Sequence, residues 1–288
     1  MLLSQLSFRA LWTPELAFAL LSIALLYIWF ARKKGRPILF LLGLCALYIG
    51  WGSPFFVAGH VMMTFHMLQM VFTYFIAVPL LLLGIPKSWY MFLDAKLPAK
   101  KIRHFFWHPI VALLLFNGLF SFYHVPMIFD TLMQAPFLHS GYQWLLLGAS
   151  ALMWWFMLAP LPNGYKLPDL RRIFYIFANG LLITPACALI IFAPEAMYAT
   201  YTDPLIWSKV MAFCLPGNVG PDALLSLFGG PTSMTFFDAR TDQQLAGVLM
   251  KVFQEIVYGT MIGYVFKQWL KKEKLQDGEM TISDIPRH

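Results

Sequence analysis

The segment GHVMMTFHMLQM, residues 59–70, carries two histidines and four methionines in twelve residues. Imidazole and thioether donors together suit copper, and thioether favours Cu(I). Magnesium or calcium would call for carboxylate oxygens instead. On a helix advancing 100° per residue from His60 at 0°, Met63 falls at about 300°, His66 at 240°, Met67 at 340°, Met70 at 280° and Tyr74 at 320°. His60, Met63, His66, Met67 and Met70 would then share one face about 120° wide. Such a methionine stripe is more often a packing face, because methionine fills gaps. A lone histidine near a membrane interface more often hydrogen-bonds between helices. His60 and His66 stand about 9 Å apart along such an axis, so a common ion needs converging side chains, and two successive sites fit equally. Either arrangement needs a second helix, and His124 in FYHVPMIFD is the first candidate.

The elements that must position these groups are membrane helices. The 288 residues are 59% hydrophobic and 12% charged, whereas a soluble domain carries about 25% charged residues. Seven segments approach the roughly 20 apolar residues that cross a bilayer: 14–31, 37–54, 60–84, 109–123, 140–159, 173–193 and 243–269. In lipid each backbone polar group must be satisfied within its own segment, so the fold class is an all-α seven-helix bundle. The expected division is a membrane domain over residues 1–270 and a charged, mobile tail over 271–288.

Only Arg9 precedes the first apolar run and RKKGR follows it, the reverse of a signal peptide. Arg32, Lys33, Lys34 and Arg36, then Lys87, Lys96, Lys100, Lys101 and Arg103, then Lys166, Arg171 and Arg172, and finally Lys267, Lys271, Lys272 and Lys274 all fall on one side of such a bundle. The other side holds only Arg9, Lys209 and Arg240. Basic loops stay in the cytoplasm, so the expected topology is N-terminus outside and C-terminus inside. The net charge of +7 then reports topology and contact with anionic membrane lipid; no nucleic-acid surface is expected.

That topology puts His60, His66, His124 and His139 in the outer half of the membrane, where ionisable residues are rare and tend to face functional cavities. His104 and His108 sit beside a basic loop and are assigned no role. Lys251 and Glu255 lie four apart in the last segment, close enough to pair; a salt bridge that locks the helix is as good a reading as an ion or proton role. Asp242, at the start of that segment, reads as a helix cap ahead of an oxygen ligand. Pro79 and Pro185 should kink their helices. The stretch 125–141 reads as an interfacial helix, and DPLIWSKVMAFCLPG as a short helix opened by Asp203-Pro204. Residues 218–242 read as a structured loop. Cys45, Cys187 and Cys214 have neither metal nor redox spacing. No nucleophile elbow, zinc-protease motif or paired catalytic carboxylates occur, so no enzyme is expected.

The segments HMLQM…VPLLLLGIP, FYHVPMIFD, MWWFMLAPLP, IFANGLLITPACALIIF and DQQLAGVLMKVFQEIVYG resemble those of the CtaG family, assembly factors for caa-type cytochrome c oxidase in Bacillus-like bacteria. The resemblance runs from about His60 to Trp269. It implies a seven-helix plasma-membrane protein that acts on oxidase subunits at the step of copper delivery, with His60, His66, His124 and His139 in the family's histidine positions. The chain departs from the pattern at AVPLLLLG, which lacks a double proline, and at MWWFMLAP, where proline often follows the tryptophans. Combined with the residue reading, the expectation is transient copper binding by those histidines with Met63, Met67 and Met70. A copper permease, a metal-free scaffold and an intramembrane enzyme using Glu255 are the alternatives.

Overall fold

The computed structural model describes residues 7–31, 33–96, 108–158, 167–214, 220–233 and 235–279. Among them there is no strand. The helices are α1 (Phe8–Trp12), α2 (Pro14–Ala31), α3 (Pro37–Trp51), α4 (Pro54–Ala58), α5 (Met63–Met70), α6 (Val78–Gly84), α7 (Lys87–Lys96), α8 (Pro109–Tyr123), α9 (Pro126–Met133), α10 (Pro136–Leu158), α11 (Asp169–Ile191), α12 (Pro204–Cys214), α13 (Pro221–Phe228) and α14 (Ala239–Glu279). A π-helical stretch, Val71–Ala77, joins α5 to α6. Many of these helices open on proline, whose missing N–H costs nothing in the first turn and whose φ is already helical.

All seven apolar segments are helical. By length and composition, five described helical spans can cross a membrane, or six if α8 and α9, bent by 77°, count as one. Helix α10 spans 23 residues, but His139, Gln143 and three tryptophans dilute its apolar character. The segment expected at 60–84 begins as a helix only at Met63. The segment expected at 37–54 continues, after a break at Gly52 and Ser53, into α4. Within the stretch 125–141, α9 buries Phe129 and Met133 against the bundle and leaves Met127 exposed, and α10 begins at Pro136. Part of 218–242 is not a loop but α13, which buries Leu224. Asp203 opens α12 as its sequence suggests, its Oδ1 accepting from the Leu205 N–H at 2.8 Å. Helix α14 runs on through the Lys-rich start of the tail to Glu279. His104, Pro216, Gly217 and residues 280–288 lie outside the described residues.

Helix α14 lies along α11 and also crosses α5, while α3 packs along α5, the π stretch and α6. At Gly43 an added Cβ would stand 2.8 Å from Leu81, and at Gly50 2.2 Å from the Thr73 hydroxyl. Small residues thus bring α3 against its neighbour, which is how helices associate where no hydrophobic force distinguishes side chain from lipid. Helix α2 buries only Leu20, Tyr27 and Ala31, and leaves Phe18, Leu25, Trp29 and Phe30 exposed, as suits a peripheral membrane helix.

One carbonyl of the π stretch is satisfied from another helix. Pro79 has no N–H, so an acceptor one turn above it goes without its helical partner. The Tyr74 carbonyl is taken instead by the Ser150 hydroxyl at 2.9 Å and the Trp154 indole N–H at 2.8 Å, both on α10. The carbonyl left open by Pro79 in the π register binds α10 to the core.

Helix α5 begins without a side-chain cap of its own. Asp242 on α14 supplies it: its carboxylate accepts from the Met63 N–H at 2.6 Å and from the Thr64 N–H at 3.4 Å, while the Thr64 hydroxyl donates to the Asp242 carbonyl at 3.1 Å. Asp242 therefore caps a neighbouring helix and not its own, whose first turn is held by Asp238 accepting from the Thr241 N–H at 3.0 Å. A carboxylate at a helix N-terminus also meets the positive end of the helix dipole. Asp242→Ala should cost about 1–3 kcal/mol in unfolding experiments in detergent, and Asp242→Asn, which keeps one acceptor, should cost less.

Candidate metal centre

The four histidines expected to face a cavity meet at one end of the bundle. They do not do so along a single helical stripe. His60 lies in the turn between α4 and α5, His66 on α5, His124 in the turn between α8 and α9, and His139 on α10. The 100° rule misplaces His60 because the chain is not helical from 59 to 62. All four are buried, with exposures of 6%, 2%, 5% and 7% in chain order.

The rings form two pairs around one phenol. His66 and His124 have centroids 6.2 Å apart, as do His60 and His139. Tyr123 lies between the pairs, stacked on His66 at 5.7 Å and 9°, and on His139 at 6.0 Å and 20°. Phe129 closes the edge of His66 at 5.1 Å.

Hydrogen bonds fix the tautomers of two rings. His60 Nδ1 lies 2.8 Å from the Phe56 carbonyl, and His124 Nδ1 2.7 Å from the Phe120 carbonyl. A carbonyl oxygen only accepts, so each neutral ring carries its proton on Nδ1 and its lone pair on Nε2. This is the arrangement of metal-ligating histidines, whose second nitrogen is oriented by an acceptor. The Nε2 atoms of His66 and His124 are buried and have no hydrogen-bond partner. His139 differs: its Nε2 stands 2.8 Å from the Tyr123 hydroxyl and 3.1 Å from the Gln143 amide nitrogen. Its lone pair is already engaged.

Two turns that carry histidine are held from above. The Tyr201 hydroxyl donates to the Gly59 carbonyl at 2.7 Å, and the Tyr198 hydroxyl to the His124 carbonyl at 2.7 Å. Asp130 fixes that covering segment by accepting from the Ala199 and Thr200 N–H groups at 3.0 and 2.9 Å. Tyr123, Tyr198, Tyr201 and Asp130 were not singled out in the sequence. Their only signal there is a set of hydroxyl-bearing aromatics beside the histidines, in FYH and MYATYTDP.

Met63, Met67 and Met70 are fully buried in the central apolar cluster with Tyr74, Phe75 and Phe116. Lys251 and Glu255 do pair, at 2.6 Å. The Lys251 ammonium also reaches the Thr184 hydroxyl at 2.8 Å and the Gly180 carbonyl at 3.3 Å on α11. Glu255 lies 13 residues beyond Asp242 on α14, about 20 Å along the axis, and so takes no part in the histidine cluster. His108 caps α8, its Nδ1 accepting from the Ile110 N–H at 3.3 Å.

Among the described residues no three His, Cys, Asp or Glu side chains stand together as a metal-holding group. The donors present are pairs. Two imidazoles on one ion at about 2 Å bond length have centroids roughly 5–6.5 Å apart. The His66–His124 pair, with two unpartnered Nε2 atoms, fits that spacing. His139 fits only if Tyr123 and Gln143 release it. The difference has a measurable counterpart. His66→Phe removes a buried nitrogen that bonds to nothing and should leave the unfolding temperature unchanged or raised. His139→Phe strands Tyr123 and Gln143 and should cost about 1–3 kcal/mol.

Comparison with known proteins places the sequence in a family. No curated protein and no solved structure matches the chain. The family model of the cytochrome c oxidase caa3 assembly factors, Caa3_CtaG, matches residues 25–272. That match covers the helices of the bundle from within α2 and all four clustered histidines, and the chain belongs to this family of caa3 oxidase assembly factors.

Proposed function

We propose that the chain is a non-enzymatic assembly factor that holds Cu(I) between buried imidazoles and hands it to a nascent oxidase subunit. The observation that carries this reading is the pair of buried, unpartnered Nε2 atoms on His66 and His124, whose rings stand 6.2 Å apart. A buried polar atom without a partner is destabilising; here two of them sit on neighbouring rings. Such a cost is the mark of a site kept for a ligand.

The distribution of charge supports an outward position for the histidines. Lys34, Arg36, Lys87, Arg172 and Lys272 lie at the opposite end of the bundle, and basic ends remain in the cytoplasm. Copper would then be held on the face where extracytoplasmic metal centres are assembled. His60 and His139 form a second pair, reached once Tyr123 and Gln143 let go. Exchange between pairs suits a carrier, which must release what it binds.

A permease reading would need donors continuing through the bundle. Below the cluster the described core mixes aromatic rings, Phe75, Phe116, Phe120, Trp154 and Tyr258, with the buried thioethers of Met153, Met157 and Met250, and none of its buried side chains is an imidazole. One observation favours a metal-free scaffold: the described residues offer pairs and not a group of three donors.

The test is copper analysis of reduced, purified protein beside an oxidase assay in a deletion strain. Wild type should retain about one Cu(I) per chain, and His60/His66/His124→Ala should lose it together with oxidase activity. His66→Phe, expected to keep its fold, should lose most of the copper alone. Copper-free protein together with normal complementation by the triple variant would establish the scaffold reading instead.

A further inference from the structure

We propose that the end of the bundle opposite the histidines contains a site for a phosphodiester anion, the headgroup of an anionic phospholipid. A cavity of about 970 Å³ opens there, and Lys34, Arg36, Lys87 and Arg172 converge on it from three parts of the chain. Lys34 and Arg36 come from the α2–α3 turn, Lys87 from the start of α7, and Arg172 from α11. No described Asp or Glu lines it.

The positive-inside rule explains why basic residues lie at this end. It does not explain a buried one. Arg172 is only 2% exposed. Its Nε donates to the Met157 carbonyl and one Nη donates to Gln268 Oε1 at 3.4 Å. These are neutral acceptors, so its charge is oriented but not neutralised by either. Asp169, one turn earlier on α11, is ion-paired to Lys272 and also interacts electrostatically with Arg172 from outside the cavity lining. Lys34, Arg36 and Lys87 make no ion pair with a described carboxylate. Four cations around one hollow repel each other unless an anion joins them.

The walls distinguish headgroup from solute. Leu82, Leu83, Leu158 and Met261 line the cavity beside the cations, while Ser88, Tyr264 and Gln268 add hydrogen-bonding groups. An apolar wall next to a cationic rim matches an amphiphile, with acyl chains along the leucines and phosphate among the guanidinium and ammonium groups. Basic pockets between membrane helices bind lipid headgroups in this manner, and guanidinium suits phosphate through paired N–H donors. This assignment does not depend on copper: the pocket and the histidines occupy opposite ends.

The experiment is native mass spectrometry of the full chain released from mixed vesicles of phosphatidylglycerol and phosphatidylcholine. Phosphatidylglycerol should be retained at about one per chain in preference to phosphatidylcholine, and Lys34/Arg36/Lys87→Gln should lower that retention at least about tenfold. These three side chains are exposed, so the variant tests charge without disturbing the core. Lys267/Lys271/Lys274→Gln removes the same charge from exposed positions of α14 outside the cavity and should leave retention unchanged. A separate arm adds inorganic phosphate to lipid-free detergent protein. A thermal shift that the first triple variant abolishes, with no lipid preference, would assign the same anion site to free phosphate. Equal retention of both lipids with no phosphate effect, or equal losses in the two triple variants, would overturn the proposal.

Discussion

A membrane helix cannot break inside the bilayer unless something else satisfies the backbone groups that the break exposes. The histidine end of this bundle is built on that constraint. The chain breaks between α4 and α5 and again between α8 and α9, and the freed groups find side chains from other helices. Asp242 accepts from the start of α5, and Tyr201 and Tyr198 donate to the carbonyls of Gly59 and His124. The imidazoles of His60 and His124 add a third form of satisfaction, each bonding back to a carbonyl four residues earlier. The same bonds leave Nε2 as the lone-pair nitrogen. Backbone repair and the orientation of two imidazole rings are one arrangement.

The site is consequently rigid where its donors lie. Tyr123 is held between two imidazoles, Phe129 closes one side, and Asp130 ties the covering segment in place. Further down, Pro79 releases the Tyr74 carbonyl to Ser150 and Trp154, which anchors α10 and with it His139. A residue that in water would weaken a helix here supplies an acceptor between helices.

Much of this was legible in the sequence. Apolar length located the long helices, because hydrophobic run and bilayer thickness are linked directly, but five of the described spans, or six with the bent pair, meet the length and composition of a membrane crossing where seven were expected. Depth counting brought His60, His66, His124 and His139 to one end. The single-helix stripe was misjudged, since no local signal in GHVMM announces that a carboxylate 179 residues away will cap a helix at Met63. Tyr123 was passed over for the opposite reason: its neighbour His124 drew attention, while a tyrosine in an apolar run is ordinary. Lys251 and Glu255 were paired correctly from spacing alone, but their attachment to Gly180 and Thr184 depends on α11, which spacing cannot show.

Helix α14 has 41 residues, a rod of about 60 Å, whereas the whole bilayer with its headgroups measures about 40–45 Å. With Asp242 fixed at the histidine end, no ordinary tilt hides the remainder. The final turns must stand clear of the lipid as a charged mast, offering water-soluble molecules a handle on a protein otherwise sunk in the membrane.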